Sequence, residues 1–245
     1  MPAHAILLSA GLGTRMQPLT ATTPKAMLPL GGLPLLEHGL RAFEAAGCTR
    51  IVVNTHHHAA QVHAYLASRP ARAEVVISHE PVLLESGGGL MQALPLLGDA
   101  PFLAANADTV WLDDAEAPAI ARLCEAYDPA RMDALLLLEP RARATDYAGP
   151  GDFGLNDAGE LVRGGDRAYV FRGLQVLHPR ALAGRTATPF SLREVWRAAE
   201  RPDRSIARHF GLVHAHGRWL HVGTPDELRA AEATLTALRS ERPAR

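Results

Sequence analysis

The segment Leu8-Ser9-Ala10-Gly11-Leu12-Gly13-Thr14-Arg15-Met16-Gln17-Pro18-Leu19-Thr20, followed by Thr23-Pro24-Lys25-Ala26-Met27-Leu28-Pro29, carries a set of residues suited to a polyanion. Gly11 and Gly13 leave room for backbone N–H groups to approach and cradle a phosphate. Arg15 adds a bidentate fork and Lys25 a mobile ammonium. Together they are equipped for a triphosphate. Two familiar phosphate loops are excluded. A Walker loop needs Gly-Lys-Ser/Thr, and Lys25 stands between Pro24 and Ala26; the dinucleotide fingerprint needs a third glycine three after Gly13, where Met16 stands. Lys25 is also the only lysine, the rest of the 25 basic residues being arginine. A compact ammonium and a planar fork are not interchangeable at a phosphate, so its position beside the glycine turn singles it out.

Such a loop works at the carboxyl end of a strand in an open α/β sheet. The patterning supplies one. Ala5–Leu8, Ile51–Val53, Glu74–Ile77, Pro101–Ala105 and Ala134–Leu138 are short apolar runs with the character of buried strands. Between them, residues 34–46, a stretch through Gln61, Val62 and Leu66, Leu90–Leu97 and Ala117–Tyr127 have helical spacing. Alternation of this kind predicts βαβ units and a mixed, mostly parallel central sheet with helices on both faces. After Pro140 turns become frequent. A hairpin is expected at Asn156–Leu161, strands at Tyr169–Leu177 and Trp219–Val222, and a helix over Pro225–Leu238, introduced by Thr224 as N-cap and Pro225 at the first position. The chain therefore reads as a single domain over residues 1–245. Residues 1–140 carry the phosphate loop and the alternating strands and helices, and residues 141–245 read as a small β-rich annex to the sheet together with the C-terminal helix.

Composition agrees with a globular enzyme. The 245 residues carry 25 basic and 26 acidic side chains, which argues against a nucleic-acid-binding surface. No apolar run approaches the ~18 residues of a membrane span. The first residues show no basic region or cleavage site of a secretory signal, so a cytoplasmic location is expected. Two cysteines, Cys48 and Cys124, are too few for a disulfide framework and are expected to be buried and inert.

The string Gly-Leu-Gly-Thr-Arg-Met-x-Pro-Leu-Thr, with Pro-Lys-x-x-x-Pro after it, resembles the signature of the sugar-1-phosphate nucleotidylyltransferases, and the resemblance extends over nearly the whole chain. Glu85-Ser86-Gly87-Gly88-Gly89-Leu90 resembles the segment that holds the base. Asn106-Ala107-Asp108 resembles the metal motif, and Trp219-Leu220-His221-Val222-Gly223-Thr224-Pro225 resembles the C-terminal Trp-x-Asp-x-Gly-Thr-Pro. The Glu-x-Gly-Gly-Gly run, Ala93–Asp99 and the Gly151-Asp152-Phe153 turn are most similar to the N-acetylmuramate 1-phosphate uridylyltransferases of cell-wall recycling. The mannose-1-phosphate guanylyltransferases come next.

The resemblance implies a Rossmann-like nucleotide-diphospho-sugar transferase fold. It also implies the reaction NTP + sugar 1-phosphate → NDP-sugar + pyrophosphate, with UTP and N-acetylmuramate 1-phosphate as the expected substrates and no nucleic acid or membrane as partner. It assigns the nucleotide to Ala10, Gly11, Gly13, Thr14, Arg15, Lys25, Gly88 and Asn106. Arg15, Lys25 and Asp108 become catalytic: Arg15 on the leaving phosphates, Lys25 between the α-phosphate and the incoming phosphate. The sugar falls to Glu85, Asp152, Gly154 and Gly173. Asp108 would hold Mg²⁺, with Mn²⁺ as the alternative. His221 stands where the family has a second metal-binding aspartate and is a softer donor. The family's sugar-phosphate lysine has no counterpart in Leu161–Asp166, where Arg163 is the candidate substitute.

Other features have plainer readings. His56-His57-His58 is expected as a solvated loop, Trp196 and Trp219 as core, and Arg239–Arg245 as a frayed tail. Two functions of other kinds stay open: a nucleotide- or sugar-phosphate-sensing domain without turnover, and a cytidylyltransferase for choline phosphate or a similar acceptor. No side chain distinguishes the base, and the oligomeric state is not readable.

Overall fold

Ile6 and Leu7 are adjacent in the chain and belong to different cores, because successive strand residues face opposite sides of a sheet. Leu7 packs with Leu36, Leu40 and Phe43, whereas Ile6 packs with Leu90, Ala93 and Leu97. The computed structural model describes residues 1–70, 72–112, 118–144, 147, 149–214 and 216–241. Its first half contains strands β1 (His4–Leu8), β2 (Pro29–Leu30) and β3 (Leu33–Pro34), helix α1 (Leu35–Ala45), β4 (Arg50–Thr55) and α2 (Ala59–Ser68). Next come β5 (Glu74–His79), α3 (Glu85–Leu97), β6 (Phe102–Asn106), β7 (Thr109–Leu112), α4 (Ala119–Ala126) and β8 (Ala134–Pro140). The second half adds β9 (Gly154–Leu155), β10 (Glu160–Val162), β11 (Tyr169–Leu177), α5 (Arg193–Ala198), β12 (Ser205–Val213), β13 (Arg218–His221) and α6 (Pro225–Glu241).

Nine strands form one sheet in the order β5-β4-β1-β6-β11-β8-β12-β10-β9. The first four are parallel; β11 is antiparallel to both β6 and β8, and β12 returns parallel to β8. The α/β architecture with helices on both faces is therefore present. Strand β11 sits between β6 and β8, so the second half of the chain contributes to the middle of the sheet as well as to its β-rich edge. A separate ribbon of β7 and β13 pairs His221 with Thr109. Val110 of this ribbon packs in one buried cluster with Met16, Leu28, Leu30, Val222 and Ala231.

Three expectations need correction. Helix α3 begins at Glu85, five residues before the expected Leu90, and absorbs Gly87, Gly88 and Gly89. Glycine is a poor helix former, but here close packing overrides propensity: a Cβ on Gly87 would meet the Phe190 ring at 2.1 Å, and one on Gly88 the Thr188 carbonyl at 2.1 Å. The histidine tract is held rather than simply solvated. His57 Nε2 lies 3.3 Å from the Thr20 carbonyl, His58 Nε2 lies 3.1 Å from that of Ala21, and Gln61 donates to that of Thr22 at 2.6 Å. These contacts pin the turn that precedes Lys25. Finally, Arg239 belongs to α6 and donates to the Gly31 carbonyl at 2.7 Å, which docks the end of the helix. Residues 242–245, and Ala117 at the expected start of α4, lie outside the described residues. Strand β12 and helix α5 had no expectation at all.

Candidate active site

Gly13 explains the form of the loop after β1. It adopts φ +64 and precedes a 3₁₀ turn at Thr14–Met16. Its carbonyl accepts from Thr20 Oγ1 at 2.8 Å, and a Cβ there would meet Thr20 Cγ2 at 2.9 Å. Glycine tolerates this left-handed conformation without the steric cost that other residues carry. The turn closes on itself and leaves Ala10 and Gly11 lining a cavity of about 350 Å³. Lys25, Glu85, Asn106 and Asp108 line the same cavity, so six of the expected site residues meet there. A second cavity, about 470 Å³, takes in Arg15, Asp152, Gly173 and His221. Leu8, Ser86 and Asn106 line both, and the two cavities adjoin at these residues.

Lys25 Nζ donates to Asp108 Oδ2 at 2.5 Å across the first cavity. Burial works against the charge of Asp108. The ammonium, the nearby His221, and hydrogen bonds from Lys25 and Thr109 prevail, holding the carboxyl below the usual carboxylate range. His221 reaches this neighbourhood through the β7–β13 ribbon, where the Val222 N–H donates to the Asp108 carbonyl at 3.0 Å. Gly173, at φ +69, lies in the segment where the pairing of β11 with β8 shifts register, and a Cβ would meet Thr109 Oγ1 at 2.7 Å. That glycine lets β11 pass close to the strand end bearing Asp108.

Other expected residues take different places. Gly88 packs within α3 and lines neither cavity; Gly154 is buried in β9 and lines neither, while its neighbour Phe153 lines the second. Gly13 and Thr14 shape the loop without lining either cavity. Glu85, expected at the sugar, lies in the cavity of the glycine loop, and Arg15, expected at the leaving phosphates, lies in the other. Asp152 accepts the Phe171 N–H at 3.0 Å, which directs its second oxygen toward Arg193 at 3.9 Å. Trp196 and Trp219 both line the second cavity. Trp196 is at once core and wall, in edge contact with Phe153 and Phe171. Cys48 and Cys124 are free, and burial pushes the Cys48 thiol up to about 12, which keeps it unreactive.

Sequence reasoning missed a buried relay behind the first cavity. Asn54 Oδ1 accepts the Ser9 N–H at 2.6 Å, Asn54 Nδ2 donates to Glu80 Oε1 at 2.7 Å, and Glu80 Oε2 accepts the Leu84 N–H at 2.9 Å. Both side chains are buried, Glu80 fully. The relay fixes the start of the glycine loop against the start of α3, where Glu85 is held at φ +58. Gly89 is required beside it, since a Cβ would meet Glu80 Oε1 at 2.3 Å. The available signal was position: Asn54 lies near the carboxyl end of β4, and Glu80 directly follows β5.

The family description "MobA-like NTP transferase domain" matches residues 5–209. The chain is 38% identical to the N-acetylmuramate alpha-1-phosphate uridylyltransferase of Caulobacter vibrioides, over 96% of this chain and 97% of that one. It is 35% identical to the protein of the same name from Neisseria meningitidis serogroup B, over 94% and 96%. Its fold superposes on HddC from Yersinia pseudotuberculosis, solved in complex with GMP-PN, with a TM-score of 0.75 at 18% identity over 95% of this chain and 99% of that one. On the family match and these relatives, the chain belongs to the MobA-like NTP transferases, in the sugar-1-phosphate nucleotidylyltransferase family.

Proposed function

We propose that this protein transfers the uridylyl group of UTP to N-acetylmuramate 1-phosphate, forming UDP-N-acetylmuramate and pyrophosphate. The observation that carries the reading is the Lys25–Asp108 pair in a cavity at the carboxyl ends of β1 and β6, which adjoins a second cavity at Asn106. The base and the sugar come from the names of the two relatives that match over nearly their whole length. Such a reaction belongs in the cytoplasmic recycling of cell-wall sugars.

An oxygen of the acceptor phosphate attacks the α-phosphorus in line. The bond from that phosphorus to its bridging oxygen breaks, and the electron pair departs with pyrophosphate. The attacking oxygen is already anionic near pH 7, so no general base is needed; holding two polyanions together and balancing the moving charge is the catalytic work. The loop at Ala10 and Gly11 receives the nucleotide phosphates. Lys25 bridges the α-phosphate and the incoming phosphate, and Arg15 steadies the phosphates from the rim.

Asp108 and His221 suit a divalent ion only in part. Among the described residues no group of three or more His, Cys, Asp or Glu side chains is placed to hold one. One carboxylate, completed by substrate phosphates and water, matches the way Mg²⁺ is usually bound at nucleotides, whereas the imidazole of His221 is a softer donor than the carboxylate such a site usually adds. Mg²⁺, or Mn²⁺ in its place, would supply positive charge to the α-phosphate oxygens.

Pyrophosphate release should be measured with each of the four common NTPs against N-acetylmuramate, N-acetylglucosamine and mannose 1-phosphates. The expected result is highest kcat/KM for UTP with N-acetylmuramate 1-phosphate. A preference for GTP with mannose 1-phosphate would assign the guanylyltransferase reaction instead, and binding without release in every pair would make the protein a sensor.

A further inference from the structure

The second cavity carries more positive charge than one acceptor phosphate requires. Arg163 follows β10, Arg167 precedes β11 and Arg193 opens α5; all three line the cavity beside Phe171 and Trp196. Asp152 is the only carboxylate among the described lining residues, and its approach to Arg193 is a loose 3.9 Å. The side chains of Arg163 and Arg167 make no hydrogen bond or ion pair with any described residue. Burial first, and then the charges of Arg197, Arg193 and Arg167, disfavour the charged form of Arg163 despite the opposing effect of Glu200. Arg163 and Arg167 are half-buried and Arg193 is exposed at the mouth of the cavity; like charges gathered in this way repel one another, and an arriving anion relieves that repulsion with bidentate hydrogen bonds.

Under the reaction proposed above, Lys25 holds the reacting phosphates from the first cavity and Arg15 reaches them from the second, which leaves Arg163, Arg167 and Arg193 for a different anion. We propose that Arg163, Arg167 and Arg193 form a carboxylate-binding subsite that selects an acidic sugar 1-phosphate over a neutral one. This rests on the sugar-1-phosphate transfer proposed above and extends it to the chemistry of the sugar's substituents. The planar fork of arginine matches a carboxylate's two oxygens, and the apolar wall of Phe171 and Trp196 strengthens the pairing by limiting water.

The test compares N-acetylmuramate 1-phosphate, which bears a carboxylate on its ring ether, with N-acetylglucosamine 1-phosphate, which lacks it. The measured quantity is the ratio of their kcat/KM values in the parent, Arg167→Gln, Arg193→Gln and the Arg163→Gln/Arg167→Gln double variant. The expected ratio in the parent favours the acidic acceptor and falls at least tenfold in the double variant, mainly through KM. Arg167→Lys should recover part of what Arg167→Gln loses. Equal losses for both acceptors would show that the arginines serve the shared phosphate and would overturn the subsite. An unchanged ratio would overturn it as well. Calorimetric binding of both sugar phosphates without NTP reads the same preference without turnover. A protein that binds the acidic sugar phosphate more tightly through these arginines but releases no pyrophosphate would refute the transfer reaction and keep the subsite. One that releases pyrophosphate with no acidic preference would do the reverse.

Discussion

Lys25 and Asp108, 83 positions apart in the chain, are joined by a 2.5 Å hydrogen bond, so the only lysine and the strand-end carboxylate form one charge-balanced unit. The pair is partly buried, with side-chain exposures of 15% and 22%. Any cation or phosphate that engages one partner must alter the electrostatics of the other, which makes both residues sensitive to conservative change.

Replacing Lys25 by arginine should lower kcat by on the order of 10²-fold while thermal stability changes little, because the charge is kept but displaced from its preorganised position, and losing one such preorganised interaction has effects of that size. A fork cannot occupy the place of a single ammonium between two phosphates. Steady-state pyrophosphate release and a melting curve check this together. Parent-like turnover would remove Lys25 from the reaction.

Asp108→Asn should reduce turnover on the order of 10²–10³-fold. In the parent, chelation by EDTA should abolish pyrophosphate release, and added Mg²⁺ should restore it. Full activity in EDTA would leave Asp108 as a partner of Lys25 alone.

His221→Asp should raise the apparent affinity for Mg²⁺ and lower the relative preference for Mn²⁺, since a carboxylate is a harder donor than imidazole. Parallel titrations of the two metals in parent and variant measure it. Superimposable curves would show that His221 does not ligate.

Glu80→Gln should destabilise the protein by about 1–3 kcal/mol and raise KM for the nucleotide more than it lowers kcat. Glu80 receives N–H groups on both oxygens, from Asn54 and Leu84, so the amide nitrogen of glutamine would necessarily face a donor. Urea unfolding and nucleotide kinetics report the two effects separately. A stability loss with no change in KM would confine the relay to a structural role.

A pH-dependent contribution to stability should come from Glu37, Glu44 and Arg69, far from the reaction. Arg69 donates to Glu37 at 2.9 Å and to Glu44 at 2.9 Å, with all three side chains almost fully buried. Burial raises the pKa of both carboxyls, but hydrogen bonds outweigh it and hold them below the usual range: Arg41, Arg69 and Tyr65 for Glu37, and Arg69 with backbone donors for Glu44. Their contribution is complete above the unfolded value of ~4.3 and is lost as pH falls through the lower folded values. Arg69→Met should cost on the order of 3 kcal/mol at pH 7. Urea midpoints for parent and variant should converge toward pH 3; a constant gap between them would remove this network as the source.

Much of the fold was legible locally. The alternation of Ala5–Leu8, Ile51–Val53 and Glu74–Ile77 with helical spacing predicted the parallel strands, because side-chain periodicity is a property of neighbouring residues. The glycines, Arg15 and Lys25 announced phosphate chemistry in the same way, and the resemblance added Asp108 and His221. Tertiary structure decided what depends on distant partners. The central place of β11 comes from pairing with β6 and β8, and β12, with Arg208, His209 and Gly211 in its sequence, becomes a strand by lying between β8 and β10. Three glycines became helix because Phe190, Thr188 and Glu80 leave no room for side chains. The Asn54–Glu80 relay and the arginine wall likewise join residues with no common local pattern. Backbone preference is written in adjacent residues, whereas burial, charge pairing and cavity shape arise only when segments far apart in the chain meet.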